Sequence, residues 1–367
     1  MPQDTMFLTI NKTPLKTPIV LASMAGSTDA EYALARKNHL GAAFLGGFNI
    51  DTAAQKASEE IKTCGRKEFD HDLEQIAAEA KKLQGTGILC GLNLRGKDPA
   101  AFLAAAEKTG AAVVYEIDAH CRQKPMTDAG CGEALLTDTD TLCNIVTTLA
   151  KAGYTVSVKF RAGIVNDADL AHKLWKAGAS ILHVDCMDFG HAKIRQIRNA
   201  CPLILIANNG VDSPDTMMDY FSHGADLVSV ARHSDSDTLK ALDYFITETA
   251  KSVGWYNAPK QLCRGGDIRS LAFCCMPVKS CPLLPFLEKT GLAREEYLEL
   301  KKVLTADTPL AEGSHTCFGS LAFCCKTSTP CMFREMITKA IGLENDVYMD
   351  LKRRLGTQMM NYVFSKE

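Results

Sequence analysis

Eight short runs rich in Val, Ile, Leu and Ala recur through the first 255 residues with amphipathic spacers between them, and this rhythm limits the fold more than any other feature. The runs are Pro18–Gly26, Gly41–Phe48, Gly87–Leu94, Ala111–Ala119, Thr155–Ala162, Ser180–Met187, Leu203–Gly210 and Leu227–Arg232. They are apolar on both faces, as parallel strands covered on two sides must be. Spacers such as Asp138–Ala152 and Asp167–Ala177 carry helical periodicity, and Gly153, Gly178 and Gly224 each precede the next run. Eight strands alternating with helices over about 230 residues predict a (β/α)8 barrel for residues 1–255. A doubly wound sheet is the alternative. It rarely needs eight parallel strands, and no G-x-G-x-x-G follows the first run.

In such a barrel, chemistry belongs at the C-terminal strand ends. Those ends are polar or glycine-rich where the strand bodies are not: Ser23 to Gly26, Asn93, Glu116 to Cys121, Asp185, Asn208 to Gly210, and Ala231-Arg232. Lys159 and Arg161 sit two apart on the fifth run, so they share a face and point together into the mouth. Cations there favour an anion or an electron-rich ring. The competing reading is a structural salt bridge to Asp185 or Asp118.

The remaining third of the chain is built on cysteine. Ser270-Leu271-Ala272-Phe273-Cys274-Cys275 recurs as Ser320-Leu321-Ala322-Phe323-Cys324-Cys325. Each copy has a further thiol downstream, Cys281 and Cys331, and one upstream, Cys263 and Cys317. The core of the motif repeats at an offset of 50, and the upstream cysteines at 54. Two matched sets of four thiols suggest a duplication that builds two metal sites, in a small, mainly helical domain over 256–367. Zinc knuckles normally use C-x2–4-C, which the repeats lack, so two [4Fe-4S] clusters are the expectation and structural zinc the alternative.

Of fifteen cysteines, the seven outside the repeats lie singly in apolar surroundings, the usage of a reduced compartment. With no apolar stretch of spanning length and no leader pattern at the N-terminus, a cytoplasmic protein without membrane contact is expected. Residues 256–367 carry 15 Lys/Arg against 12 Asp/Glu, and residues 1–255 carry 26 against 31. So mild a basic bias permits RNA as a partner without arguing for it.

The strand-end residues resemble a known family. Leu21-Ala22-Ser23-Met24-Ala25-Gly26-Ser27-Thr28-Asp29 is similar to the first-strand signature of the dihydrouridine synthases, FMN-dependent barrels that reduce uridine in tRNA. Asn93 to Pro99 resembles their third-strand segment, with Asn where the family usually has Gln, and Val158 to Gly163 their fifth strand, whose Lys contacts the flavin. Ile206 to Gly210 and Gly224 to Arg232 look like the phosphate-binding seventh and eighth strands. The resemblance implies FMN at the barrel mouth, held by Ala22, Ser23, Met24, Asn93, Lys159, Asp185, Asn208, Asn209, Gly210, Ala231 and Arg232. It implies catalysis by Lys159 and by Cys121 as proton donor to a C=C bond, with Cys131 as a competitor for that role. His120 and Arg122, its chain neighbours, are expected to lower the Cys121 pKa.

Two departures stand out. Where the family's fourth strand ends in Asn-x-Gly-Cys-Pro, this chain reads Asp118-Ala119-His120-Cys121-Arg122. Where its sixth has His-Gly-Arg, this chain reads Asp185-Cys186-Met187. The tail resembles the methanogenesis marker 9 domain of methanogenic archaea, which occurs fused to such barrels and implies an anaerobic host. Two functions of different class follow. One is an FMN-dependent oxidoreductase with an iron–sulfur tail, fed by a redox partner or a reduced nicotinamide or deazaflavin donor. The other is a metal-dependent RNA-binding or assembly factor without turnover.

Overall fold

The computed structural model describes residues 9–198, 200–201 and 203–253. Eight parallel strands close into a barrel: β1 (Ile19–Leu21), β2 (Ala42–Asn49), β3 (Leu89–Arg95), β4 (Val114–Ala119), β5 (Thr155–Arg161), β6 (Ile181–Asp185), β7 (Ile204–Asn208) and β8 (Leu227–Val230). Each pairs with its chain neighbours, and β8 returns to β1 through Val228 opposite Ile19. The expected (β/α)8 barrel is therefore the observed fold. It forms one compact unit, Phe7–Phe221 with Ala225–Phe245. A short antiparallel hairpin, Thr9–Ile10 with Thr13–Pro14, precedes β1.

All eight sequence runs become strands, and most stop short of where the apolar pattern does. The excess lies mainly at the C-terminal ends. Met24 accepts turn hydrogen bonds from the backbone of Ser27 and Thr28 at 3.0 Å, so the chain leaves the sheet after Leu21. Those polar ends become the loops of the mouth.

The helices begin where a short acceptor is available. Asp51 receives the Ala54 N–H at 2.8 Å, Asp72 forms a capping box with Gln75, and Asn166 caps the helix Asp167–Ala177. That helix ends at Gly178, whose φ of +104° puts it in left-handed territory. A side chain there would also meet the Ala150 methyl at 2.7 Å. Between β2 and β3 the chain makes two helices, Thr52–Thr63 and Leu73–Leu83, joined by a connector over 64–72.

The strands are buried on both faces, and their interior is polar in two tiers. Registers set Asn93 opposite Glu116, Glu116 opposite Ser157, and Asp118 opposite Lys159. Because strand side chains alternate, Asn93, Glu116, Ser157 and His183 share a lower tier, while Arg95, Asp118, Lys159 and Asp185, two residues further on, form an upper tier. The duplicated cysteine segment, the whole 256–367 domain and its eight thiols (Cys263, Cys274, Cys275, Cys281, Cys317, Cys324, Cys325 and Cys331) lie outside the described residues.

Candidate active site at the barrel mouth

The lower tier is a closed hydrogen-bond network. Glu116 accepts from Asn93 Nδ2 at 2.9 Å and from Ser157 Oγ at 3.0 Å, and its Oε2 lies 2.8 Å from His183 Nδ1. Burial opposes its charge, but His183 and Lys159 outweigh that and hold its pKa below the usual carboxylate range. Burial pushes the His183 pKa down, so the ring is neutral. An ionised Glu116 only accepts, which assigns the ring proton to Nδ1 and leaves Nε2 to accept from Ser229 at 2.7 Å. Asn208 donates in turn to Ser229 at 2.7 Å. This network is the floor beneath the mouth.

Above the floor is a cavity of about 710 Å³. The upper tier lines it, together with Ser23, Met24, His120, Cys121, Asn209 and Arg232. Arg95 is buried between two carboxylates, with Nη1 2.6 Å from Glu68 and Nε 2.9 Å from Asp118. Burial works against the charge of Asp118, yet Arg95, His120 and Lys159 hold its carboxyl down at about 2. Asp118 Oδ1 also accepts the backbone N–H groups of His120 and Cys121, at 2.9 and 3.0 Å, and so fixes the turn that carries the thiol.

Lys159 and Arg161 both face this cavity, and their surroundings differ. Arg161 pairs with Glu133 and stands 4.0 Å from Asp185, which agrees with the structural reading of that residue. Its Nε is buried without a partner. Lys159 is 5% exposed, and its ammonium reaches only the backbone oxygen and hydroxyl of Ser23, at 3.4 and 3.2 Å. Among the described residues no carboxylate makes an ion pair with it. A buried cation so placed is held most cheaply by an electron-rich or anionic group in the cavity.

Six of the eleven expected cofactor residues border the cavity: Ser23, Met24, Lys159, Asp185, Asn209 and Arg232. Ala22, Asn93, Asn208, Gly210 and Ala231 do not. Asn93 and Asn208 belong to the lower tier, and the buried Ala22 donates its N–H to Val230 at 2.8 Å. Gly210 (φ +68°) follows Asn209 (φ +93°), and a side chain on it would meet nothing within 4 Å. These two residues turn the chain sharply at the end of β7 and leave backbone open beside it.

The expected activation of Cys121 is corrected by the structure. Burial raises its pKa, and the cation that opposes this is Arg95, not a chain neighbour. His120 turns instead to Asp185, with Nε2 2.7 Å from Oδ2, while Arg122 is exposed. Cys121 therefore keeps its proton, which suits a donor better than a nucleophile. One side of it packs against Ala54, Ala57, Ile61, Met126 and Cys131. Cys131 is fully buried, its thiol is pushed up to about 12, and it does not border the cavity. At the end of β6, Asp185 and Met187 line the mouth while Cys186 is buried away from it.

Sequence reading missed Ser157, His183, Ser229, Arg95 and Glu68. The first three are single polar residues in otherwise apolar strands, and that interruption of the run was the available signal. Glu68 lies on the connector and had none.

Fold and cavity define a parallel (β/α)8 barrel whose mouth is suited to an electron-rich or anionic group. Residues 67–238 match the family model described as dihydrouridine synthase (Dus). The protein is 30% identical over 231 residues to an uncharacterized protein, MJ0144, of Methanocaldococcus jannaschii, covering 59% of this chain and 89% of that one. It is 42% identical over 116 residues to another from the same organism, MJ0115, covering 31% and 75% respectively. A crystal structure of DHODH in complex with ferulenol from Eimeria tenella shares the fold, at 14% identity and a TM-score of 0.51, over 70% of this chain and 88% of that one. The chain belongs to the family of these two uncharacterized proteins, and its barrel carries a dihydrouridine synthase domain, the mark of flavin-dependent oxidoreductases.

Proposed function

We propose that the protein is an FMN-dependent oxidoreductase that reduces a carbon–carbon double bond, with uridine in RNA as the substrate class the domain suggests. The carrying observation is Lys159, a buried ammonium facing a 710 Å³ cavity with only Ser23 as partner. The residues fit FMN: Ser23, Met24 and Lys159 beside the ring, and Arg232 with the open backbone at Asn209-Gly210 beside the phosphate. When bound, the flavin supplies a hydride to one carbon of the double bond.

This chain's residues do the rest. Lys159 orients the ring and offsets negative charge at its edge. Cys121 gives its thiol proton to the second carbon, so the C=C becomes CH–CH, and the thiolate is reprotonated from solvent through the mouth. Asp118 holds the thiol in place through the backbone of the turn. The electrons come from a reduced nicotinamide or deazaflavin donor, or from a redox partner through iron–sulfur clusters on the eight tail cysteines. That both curated relatives come from Methanocaldococcus jannaschii supports the methanogen setting which the tail resemblance implies.

The test is a visible spectrum of protein purified without oxygen, followed by extraction of the chromophore. Flavin bands with releasable FMN are expected. A colourless protein with no flavin would overturn the reading.

A second reading, RNA binding without turnover, draws on four cations of the mouth. Arg66, Lys67, Arg122 and Arg232 line it, are exposed, and make no ion pair among the described residues. A polyanion would meet all four, and its affinity would fall steeply with salt. Turnover of any substrate excludes this reading.

A further inference from the structure

The connector 64–72 has a second cavity on its other side. Glu68 faces the mouth, whereas Phe69 to Asp72 line a separate space of about 370 Å³ with Asn49, Gln55 and Ser58. Its floor is polar and unpaired. Asn49, the last residue of β2, is 5% exposed, and neither its amide nitrogen nor its amide oxygen makes a hydrogen bond. The amide comes close enough to Glu68 to favour that carboxylate's charge without reaching hydrogen-bond geometry. Ser58, on the helix Thr52–Thr63, is 2% exposed, and its hydroxyl is likewise without a partner.

Unmade hydrogen bonds of buried groups cost about 1–3 kcal/mol each, so three such atoms facing one cavity point to a ligand that completes them. The walls are aromatic. Phe69 and His71 meet edge to face with centroids 5.1 Å apart, and both pack on Phe48. The rim charges are already satisfied: Lys62 lies 2.6 Å from both Glu59 and Asp70, and Asp72 caps its helix with Gln75. Nothing in the site calls for an ion.

A carboxamide presents a donor beside an acceptor, the complement of the hydrogen-bonding edge of a nucleobase. Aromatic walls suit the flat face of the same ring. We propose that this cavity binds a nucleobase, with Asn49 reading its edge, Ser58 adding a single hydrogen bond, and Phe69 and His71 packing on the ring. The site is distinct from the mouth and does not depend on the oxidoreductase reading.

Calorimetric titration of the full-length protein with uridine, cytidine and adenosine tests the proposal, with 3-methyluridine, which lacks the N3 donor, as the blocked analogue. At least one natural nucleoside should bind in the millimolar range or tighter. Asn49→Ala should weaken that binding about tenfold, the loss of roughly one good hydrogen bond. Phe69→Ala, on the connector outside the barrel core, should weaken it similarly and serves if Asn49→Ala fails to fold. Lys159→Met, which alters only the mouth, should leave the binding intact. If uridine is the ligand, 3-methyluridine should bind at least tenfold more weakly. Binding unchanged in both Asn49→Ala and Phe69→Ala, binding abolished by Lys159→Met, or no heat with any nucleoside would each show that the cavity holds water only.

Discussion

His120 and Asp185 join the ends of β4 and β6 across the mouth, with Nε2 2.7 Å from Oδ2. They replace polar residues that the dihydrouridine synthase resemblance leads one to expect at both positions. The pair also fixes Asp185, whose pKa burial would raise and whose contact with His120 lowers. Asp185→Asn and His120→Gln should each lower stability by about 1–2 kcal/mol in urea unfolding at pH 6, and the double variant should lose less than the sum. Strict additivity would show that the two side chains do not act as a unit.

Lys159 is expected to decide flavin retention. Lys159→Met keeps the length and the buried methylenes and removes the charge. Purified without oxygen, the variant should hold several-fold less FMN than the parent and be reduced more slowly, while its thermal midpoint stays the same or rises because an incompletely paired buried cation is gone. Unchanged occupancy together with unchanged reduction kinetics would remove Lys159 from the site.

The barrel was legible because its strands are buried on both faces, so each is a compact apolar run that nothing else in the chain imitates. Helix starts were legible for a similar reason: Asp138 and Asn166 are short acceptors before amphipathic segments. The site was legible in its upper tier, where polar residues gather at strand ends. The lower tier was not. His183 and Ser229 are 46 residues apart, and only closure of the barrel sets them 2.7 Å from each other. The electrostatics of Cys121 misled for the same reason. Its chain neighbours His120 and Arg122 look influential, yet the cation that acts on it is Arg95 from the preceding strand.

Cys121 and Cys131 touch the same apolar cluster but differ in access, and that difference predicts their variants. Cys121→Ala should keep flavin and its reduction by the electron donor while losing roughly 10²–10⁴-fold in substrate turnover, the usual contribution of a positioned acid. Cys131→Ala should keep turnover and lose about 1 kcal/mol of stability to a small cavity. The reverse pattern would move the proton donor to the loop residue.

The tail makes an elemental prediction that rests on the repeat alone. Anaerobically prepared protein should contain iron and acid-labile sulfide, and Cys274→Ser/Cys275→Ser should lose a large share of both. Zinc without sulfide would favour the structural alternative. Undiminished iron in the double variant would exclude those two thiols as ligands.

Stability should fall with acid in two stages, because the two tiers titrate in opposite senses. His183 is held neutral, below its ordinary pKa of 6.5, so the unfolded chain takes up a proton that the folded one refuses. Stability is therefore complete above about pH 6.5 and declines as pH drops below it. Asp118 is held charged, its pKa lowered from 3.8 to about 2, so its contribution is intact above 3.8 and is lost as pH falls through that interval. A depression of that size corresponds to roughly 2 kcal/mol. Glu116, also held below its ordinary value of 4.5, adds to the second stage. Urea midpoints followed from pH 8 to pH 3 should show an upper limb that flattens in His183→Gln and a lower limb that flattens in Asp118→Asn. One smooth decline, identical in parent and variants, would mean that neither tier governs the acid response.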